Sequence, residues 1–132
     1  MLCGGLVKLI RLAAIDLGVR INIDIDVFRK DETTNRSAAH YAIGEIDYGN
    51  GKTGKLYYIK ASLTGDENPY IREYRQRFPE FPHESSAEQF FSEEQFEAYR
   101  ALGSHMADNL VENNEELGDL RWQAAVDDKG PA

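Results

Sequence analysis

Three histidines and six serines are the groups of this 132-residue chain that invite a chemical reading. A hydrolase serine of the α/β type stands on a sharp strand-to-helix elbow, written G-x-S-x-G. None of Ser37, Ser62, Ser85, Ser86, Ser92 or Ser104 has glycine two before and two after it. Ser104, His105 and Asp108 supply the residue types of a triad, but neighbours i and i+1 on a helix face different ways and cannot pair as nucleophile and base. Neutral imidazoles are good metal ligands, so His40, His83 and His105 are candidates, yet no pair has the i, i+4 spacing of a helical metal motif. The spacing therefore predicts no metal and no cofactor, and assigns His40 and His83 to structural hydrogen bonding. Asp24 and Asp26 fall on one strand face, where water is the default partner of a carboxylate. Residues 49 to 54 are glycine-rich and basic through Lys52, but two β-rich runs flank them, which is not the strand-to-helix context of a phosphate loop. The lone Cys3 allows neither an intramolecular disulfide nor a cysteine zinc cluster, and at a fraying terminus it is a poor nucleophile.

The elements that must carry these groups are legible from periodicity. Leu6, Leu9, Ile10, Ala13, Ala14 and Leu17 recur at three and four residues and predict a helix, which Gly18 stops. From Val19 to Val27 the period changes to two, with Ile21, Ile23 and Ile25 on one face, and predicts a strand. A helix feeding a strand is half of an α/β repeat, so a preceding strand and a mixed sheet are expected. Residues 29 to 39 read as a loop. Tyr41 to Tyr48 and Lys55 to Leu63 flank the glycine-rich segment and predict an antiparallel hairpin, with a bulge or a six-residue turn favoured over a two-residue one. Apolar residues on both faces of Leu56 to Leu63 predict an internal strand covered on two sides.

Punctuation is densest in residues 64 to 105. Gly65 and Asp66 open the segment. Asn68 is placed as an N-cap with Pro69 at the first helical position, Ile71, Tyr70 and Tyr74 as apolar contacts, and Phe78-Pro79 as the stop. The loop Phe78-Pro79-Glu80-Phe81-Pro82-His83 follows. Ser86 with Gln89, and Ser92 with Gln95, are two capping boxes six residues apart, and Phe91 with Phe96 occupies the positions of a hydrophobic staple. Phe96, Tyr99, Leu102, Met106 and Leu110 then line one face of a long helix running to about residue 112. Residues 1 to 112 are expected to form one domain, and residues 113 to 132 an acidic, flexible tail in which Leu120 and Trp122 could dock.

Composition sets the outer bounds. The chain is 42% hydrophobic and 11% aromatic, enough for one modest core. Charge is uneven, +2 over residues 1 to 60 and −10 over residues 61 to 132. The acidic half opposes nucleic acid phosphates and anionic bilayers. Lys8 and Arg11 interrupt the N-terminal apolar run well short of the ~18 residues of a membrane span, and no signal-peptide layout is present.

The stretch Thr-Gly-Asp-Glu-Asn-Pro-Tyr, through Phe-Pro-Glu-Phe-Pro-His, to Phe-Glu-Ala-Tyr-Arg-Ala-Leu-Gly-Ser-His resembles the C-terminal end of bacterial patatin-like phospholipases. The preceding Gly-Asn-Gly-Lys-Thr-Gly-Lys-Leu-Tyr-Tyr-Ile-Lys-Ala-Ser-Leu extends the likeness, and residues 9 to 26 look like the helix and strand that follow the family's catalytic aspartate. The resemblance covers roughly residues 9 to 105. It implies the C-terminal part of a patatin-like α/β sandwich, capped by aromatic helices. It further implies a parent that hydrolyses lipid acyl esters with a Ser/Asp dyad located upstream, since the G-x-S-x-G, the Asp-Gly-Gly or Asp-Gly-Ala motif and a G-x-G-x-x-G oxyanion loop are missing here. His40 and His83 match positions that recur in the family. The expected partner is that catalytic part, with lipid reached only through it, in a cytoplasmic protein whose parent can associate with membranes. A different class is also open: a free-standing noncatalytic module that binds protein through the aromatic surface of residues 70 to 99.

Overall fold

The computed structural model describes residues 3–85 and 92–118. Helix α1 (Gly4–Leu17) ends where Gly18 turns left-handed, its amide donating to the Ala13 carbonyl. Strands β1 (Arg20–Asn22), β2 (Tyr41–Gly49) and β3 (Lys52–Ile59) form one antiparallel sheet in the order β1-β2-β3. Helices α2 (Pro69–Arg77) and α3 (Glu93–Glu112) follow. The chain is thus mixed α/β, and the sheet of the described residues is wholly antiparallel rather than mixed.

The predicted strand over Val19 to Val27 is only three residues long in the structure. Its in-out alternation persists, with Ile23, Ile25 and Val27 half-buried, but pairing stops after Asn22 because Asp24 Oδ1 accepts from the Asp26 amide at 2.9 Å and turns the chain into a short 3-10 turn, Asp26–Phe28. Asp24 and Asp26 therefore do not share a strand face. Asp26 pairs instead with Arg29 at 3.1 Å. Glycine at position 44 lets β1 and β2 approach: a Cβ there would lie 2.8 Å from Ile23 Cβ and 2.9 Å from the Asn22 carbonyl oxygen.

The β2–β3 turn is the two-residue one, Asn50-Gly51, both at positive φ, with Gly49 and Lys52 paired across it. Such a turn matches the right-handed twist of the strands. A bulge does occur, between Asp47 and Gly49, where Asp47 Oδ1 takes the Gly49 amide at 2.8 Å. Strand β3 is not internal. It is an edge among the described strands and leaves the ladder after Ile59, which is itself exposed. Its outer face is partly covered by the 3-10 turn Glu115–Leu117, whose Glu116 accepts from Tyr57 Oη at 2.9 Å and pairs with Lys55 at 3.3 Å. The start of the predicted tail is therefore docked on the sheet, while Leu120 and Trp122 lie outside the described residues.

Two clusters make the core, and they share no member. Cys3, Leu6, Phe28 and Ala42 form the first, between α1 and the sheet, with Leu56 and Tyr58 packed against them. Cys3 is buried there rather than frayed. Ile71, Tyr74, Phe81, Ala98, Leu102 and Met106 form the second, between α2, the proline loop and α3. The predicted lining of α3 is corrected at one end. Ala98 is buried and Phe96 is 65% exposed, because the buried stripe runs 98, 102, 106, 110.

Helix α1 is covered on one side only. Leu6 and Ala13 are buried and Ile10 is half-buried, whereas Val7, Leu9, Leu12, Ile15 and Leu17 are exposed, Ile15 and Leu17 by 67% and 75%. Leu9, Ala14 and Leu17 thus fall outside the buried face assigned to them by periodicity.

Candidate functional site at the join of the two cores

His40 begins the site. It precedes β2, is 1% exposed, and lies against His105 of α3. Its Nδ1 donates to the Ser62 carbonyl at 3.1 Å, with Ser62 Oγ at 3.3 Å. Its Nε2 faces Asp66 Oδ1 at 3.1 Å and Thr64 Oγ1 at 3.1 Å. From α3, His105 Nε2 reaches the same Asp66 Oδ1 at 2.9 Å, and the two imidazoles meet edge to face with centroids 5.1 Å apart. Three remote segments thus converge on one carboxylate oxygen.

The loop before α2 is shaped for this. Gly65 adopts φ +100°, a region that L side chains avoid, and a Cβ there would collide with the Arg36 guanidinium, 2.6 Å from its Nη1. Glu67 turns inward and is buried, its two oxygens accepting from the amides of Thr64 at 2.6 Å and Gly65 at 2.9 Å. This holds the backbone so that Thr64 Oγ1 donates to Asp66 Oδ1 at 2.6 Å. Burial alone would raise the Asp66 carboxyl pKa. Hydrogen bonds from Thr64, His105 and His40 outweigh it and hold the group well below the usual carboxylate range.

The capping residues do what their types predict. Asn68 accepts from the Ile71 amide at 2.9 Å with Pro69 at the start of α2, and Ser92 accepts from the Gln95 amide at 3.1 Å. Gln95 does not close a reciprocal box. Its amide donates to Glu84 Oε2 at 3.0 Å instead. Tyr74 also donates to Glu84, at 3.3 Å, and its phenol is pushed up to about 12, chiefly by burial and then by the Glu84 charge. Phe81 is fully buried, edge-on to Tyr74 at 5.0 Å and Tyr99 at 4.9 Å, and Pro82 is buried beside it. Phe78 and Pro79 end α2 on the exposed side. Ser86, Gln89 and Phe91, and with them the first capping box and one half of the staple, lie outside the described residues.

His83 does not join the other histidines. It is exposed, its amide bonds the Glu80 carbonyl at 2.7 Å, and desolvation together with Lys60, Lys30 and Arg75 holds its imidazole below the ordinary value. His40 has polar neighbours at both ring nitrogens, as a structural role needs, but the pairing with His105 was hidden because i, i+4 spacing detects only ligands on one helix. Asp66, beside a glycine in a loop, was the one sequence signal for it. Ser104 is exposed and His105 turns to Asp66, so the geometry gives no Ser104-His105-Asp108 triad.

None of the described helices is long and apolar enough to cross a membrane. The chain matches no family model, no curated protein and no solved structure.

Proposed function

We propose that this chain is the noncatalytic C-terminal portion of a patatin-like lipid acyl hydrolase, completing its α/β sandwich and seating against the catalytic part through α1. The single observation that carries the reading is the state of α1. Its only charged residues are Lys8, Arg11 and Asp16, and a helix apolar on nearly all sides belongs inside a larger fold. Here one side is covered and five large apolar residues face outward. The outer edge of β1 carries no partner strand among the described residues, which leaves a place for a further strand beside that helix. The resemblance over residues 9 to 105 supports the catalytic part of such a hydrolase as the occupant. In that assembly, a serine and an aspartate of the upstream part would cleave the acyl ester through an acyl-serine intermediate, and residues 1 to 132 would supply no reacting group.

The test uses the chain as it is. Purified residues 1 to 132 should bind a hydrophobic dye and self-associate in light scattering, and the double change Leu9→Glu with Ile15→Glu should abolish both. The same preparation should not hydrolyse p-nitrophenyl esters above background. A monomeric, dye-negative wild type would refute the seating, and turnover abolished by a single Ser→Ala change would refute the noncatalytic assignment. Genomic DNA upstream of Met1 should encode an in-frame G-x-S-x-G and Asp-Gly-Gly.

One observation favours the second reading, a protein-binding module. Tyr70, Phe78 and Phe96 are all exposed on the helical half. If that surface is the functional one, Phe96→Ala should weaken partner capture while the α1 double change leaves it intact.

A further inference from the structure

His40 meets an oxygen acceptor at each of its two ring nitrogens, the Ser62 carbonyl at Nδ1 and the Asp66 carboxylate at Nε2. With its proton on Nδ1, donated to the Ser62 carbonyl, a neutral His40 ring presents a bare lone pair at Nε2. That lone pair faces the Asp66 carboxylate at 3.1 Å, with Glu67 Oε1 3.9 Å away. The single Thr64 hydroxyl proton is committed to its 2.6 Å bond with Asp66. A lone pair opposite a carboxylate, on a histidine only 1% exposed to water, is satisfied by positive charge between or upon them. Either the ring takes a second proton or a cation sits at the join.

Two features favour the cation. A second imidazole, His105, arrives at the same oxygen from a different element, which a lone protonated histidine would not need. And the Nδ1–H of His40 is held by a backbone carbonyl, the outer contact that fixes the tautomer and aims Nε2 at a metal. We propose that His40, Asp66 and His105 bind one divalent transition-metal ion, for which zinc is the best match.

The distances fit such a centre with small adjustments. Nitrogen and oxygen ligands at about 2.0–2.1 Å from a tetrahedral zinc are roughly 3.3 Å apart. The two nitrogen–oxygen edges here are 3.1 Å and 2.9 Å, and all three ligand atoms lie within 4.8 Å of one another. Closing the third edge takes a rotation of the His105 ring, whose side chain is 28% exposed. Asp66 is 48% exposed, so the fourth position opens to solvent, as in sites that hold a metal-bound water. Thr64 and the buried Glu67 supply the outer hydrogen bond and a second negative charge. Two imidazoles with one carboxylate suit zinc and its neighbours rather than calcium or magnesium, which take oxygen ligands. This inference does not depend on the docking of α1.

Chelator-competition calorimetry of the full chain with zinc chloride tests it. One zinc per chain is expected, with affinity reduced about tenfold or more in His105→Ala and in Asp66→Asn. His83→Ala should leave binding unchanged, and calcium should not compete. Cobalt(II) in place of zinc should give the visible absorption of a four-coordinate ion. Zinc binding unaffected by either ligand change, or no binding together with nitrogen NMR shifts of a doubly protonated His40, would overturn the proposal. Circular dichroism checks that the variants fold. If they do not, X-ray absorption of the wild-type zinc form decides: two imidazoles in the metal's first shell support the site, and oxygen ligands alone overturn it.

Discussion

Truncating two phenylalanines of the aromatic segment should have opposite outcomes. Phe81 is fully buried and touches the rings of Tyr74 and Tyr99 edge-on. Phe81→Ala removes the transfer energy of a whole ring and leaves a cavity walled by α2 and α3, a loss of about 3–5 kcal/mol. Phe96 is 65% exposed, so Phe96→Ala removes little buried area and should change stability by no more than ~0.5 kcal/mol. For a chain of this size a urea slope of ~1–3 kcal/mol/M turns the first loss into a midpoint shift of roughly 1–5 M, and the second into a shift of no more than ~0.5 M. Total stability of a domain is only ~5–15 kcal/mol, so Phe81→Ala will remove a large share of it, and Phe81→Leu, which refills part of the cavity, should lie between. Urea melts followed by far-UV circular dichroism and by tyrosine fluorescence read both variants. Equal midpoints for the two, or a Phe96→Ala shift as large as that of Phe81→Ala, would refute the assignment of core and surface on α3.

Ser92→Ala deprives the Gln95 amide of its acceptor and should cost ~1 kcal/mol in the same melts, with no change in slope. Gly103 sits inside α3 with nothing within 4 Å of a would-be Cβ, so Gly103→Ala should raise stability by ~0.5–1 kcal/mol, whereas Gly44→Ala drives a Cβ into Ile23 and the Asn22 carbonyl and should cost ~1–3 kcal/mol. The Tyr74 phenol is raised in the fold to about 12 from an ordinary value of ~10. Its protonated form is the one favoured by folding, and its contribution is whole below pH ~10 and lost as pH rises through about 12. Melts across that window should show a fall that is shallower in Tyr74→Phe, and ultraviolet titration should show one phenol ionising last.

The helical half was legible because its signals are local. A cap needs only its own residue and the amides two or three positions on, so Asn68, Ser92 and Gly18 announce their helix ends without knowledge of the fold. The sheet was harder. Alternation through Ile25 and Val27 survives a turn because both residues still face the core, and only the Asp24 side chain shows that the ladder has ended. At the hairpin, four extra residues with glycine at both ends concealed which pair makes the turn, and the choice falls to Asn50-Gly51 because both adopt positive φ. Phe96 misled for a packing reason. Size argues for burial, but the stripe that packs with Ile71, Tyr74 and Phe81 runs through Ala98. The histidine–carboxylate cluster was least legible, since residues 40, 66 and 105 come from a strand start, a loop and a helix, and nothing in their spacing encodes the meeting.

The division of the apolar interior into two clusters, joined at His40, bears on how the molecule opens. Groups of packed residues with no shared member tend to behave as separate cooperative units, each with its own opening free energy. Amide exchange in α2 and α3 can then be slower or faster than in β2 and β3 rather than governed by one global event. The polar join becomes the element through which one unit senses the other. An ion bound there would then bear on the energetic coupling of the two halves as well as on the stability of either.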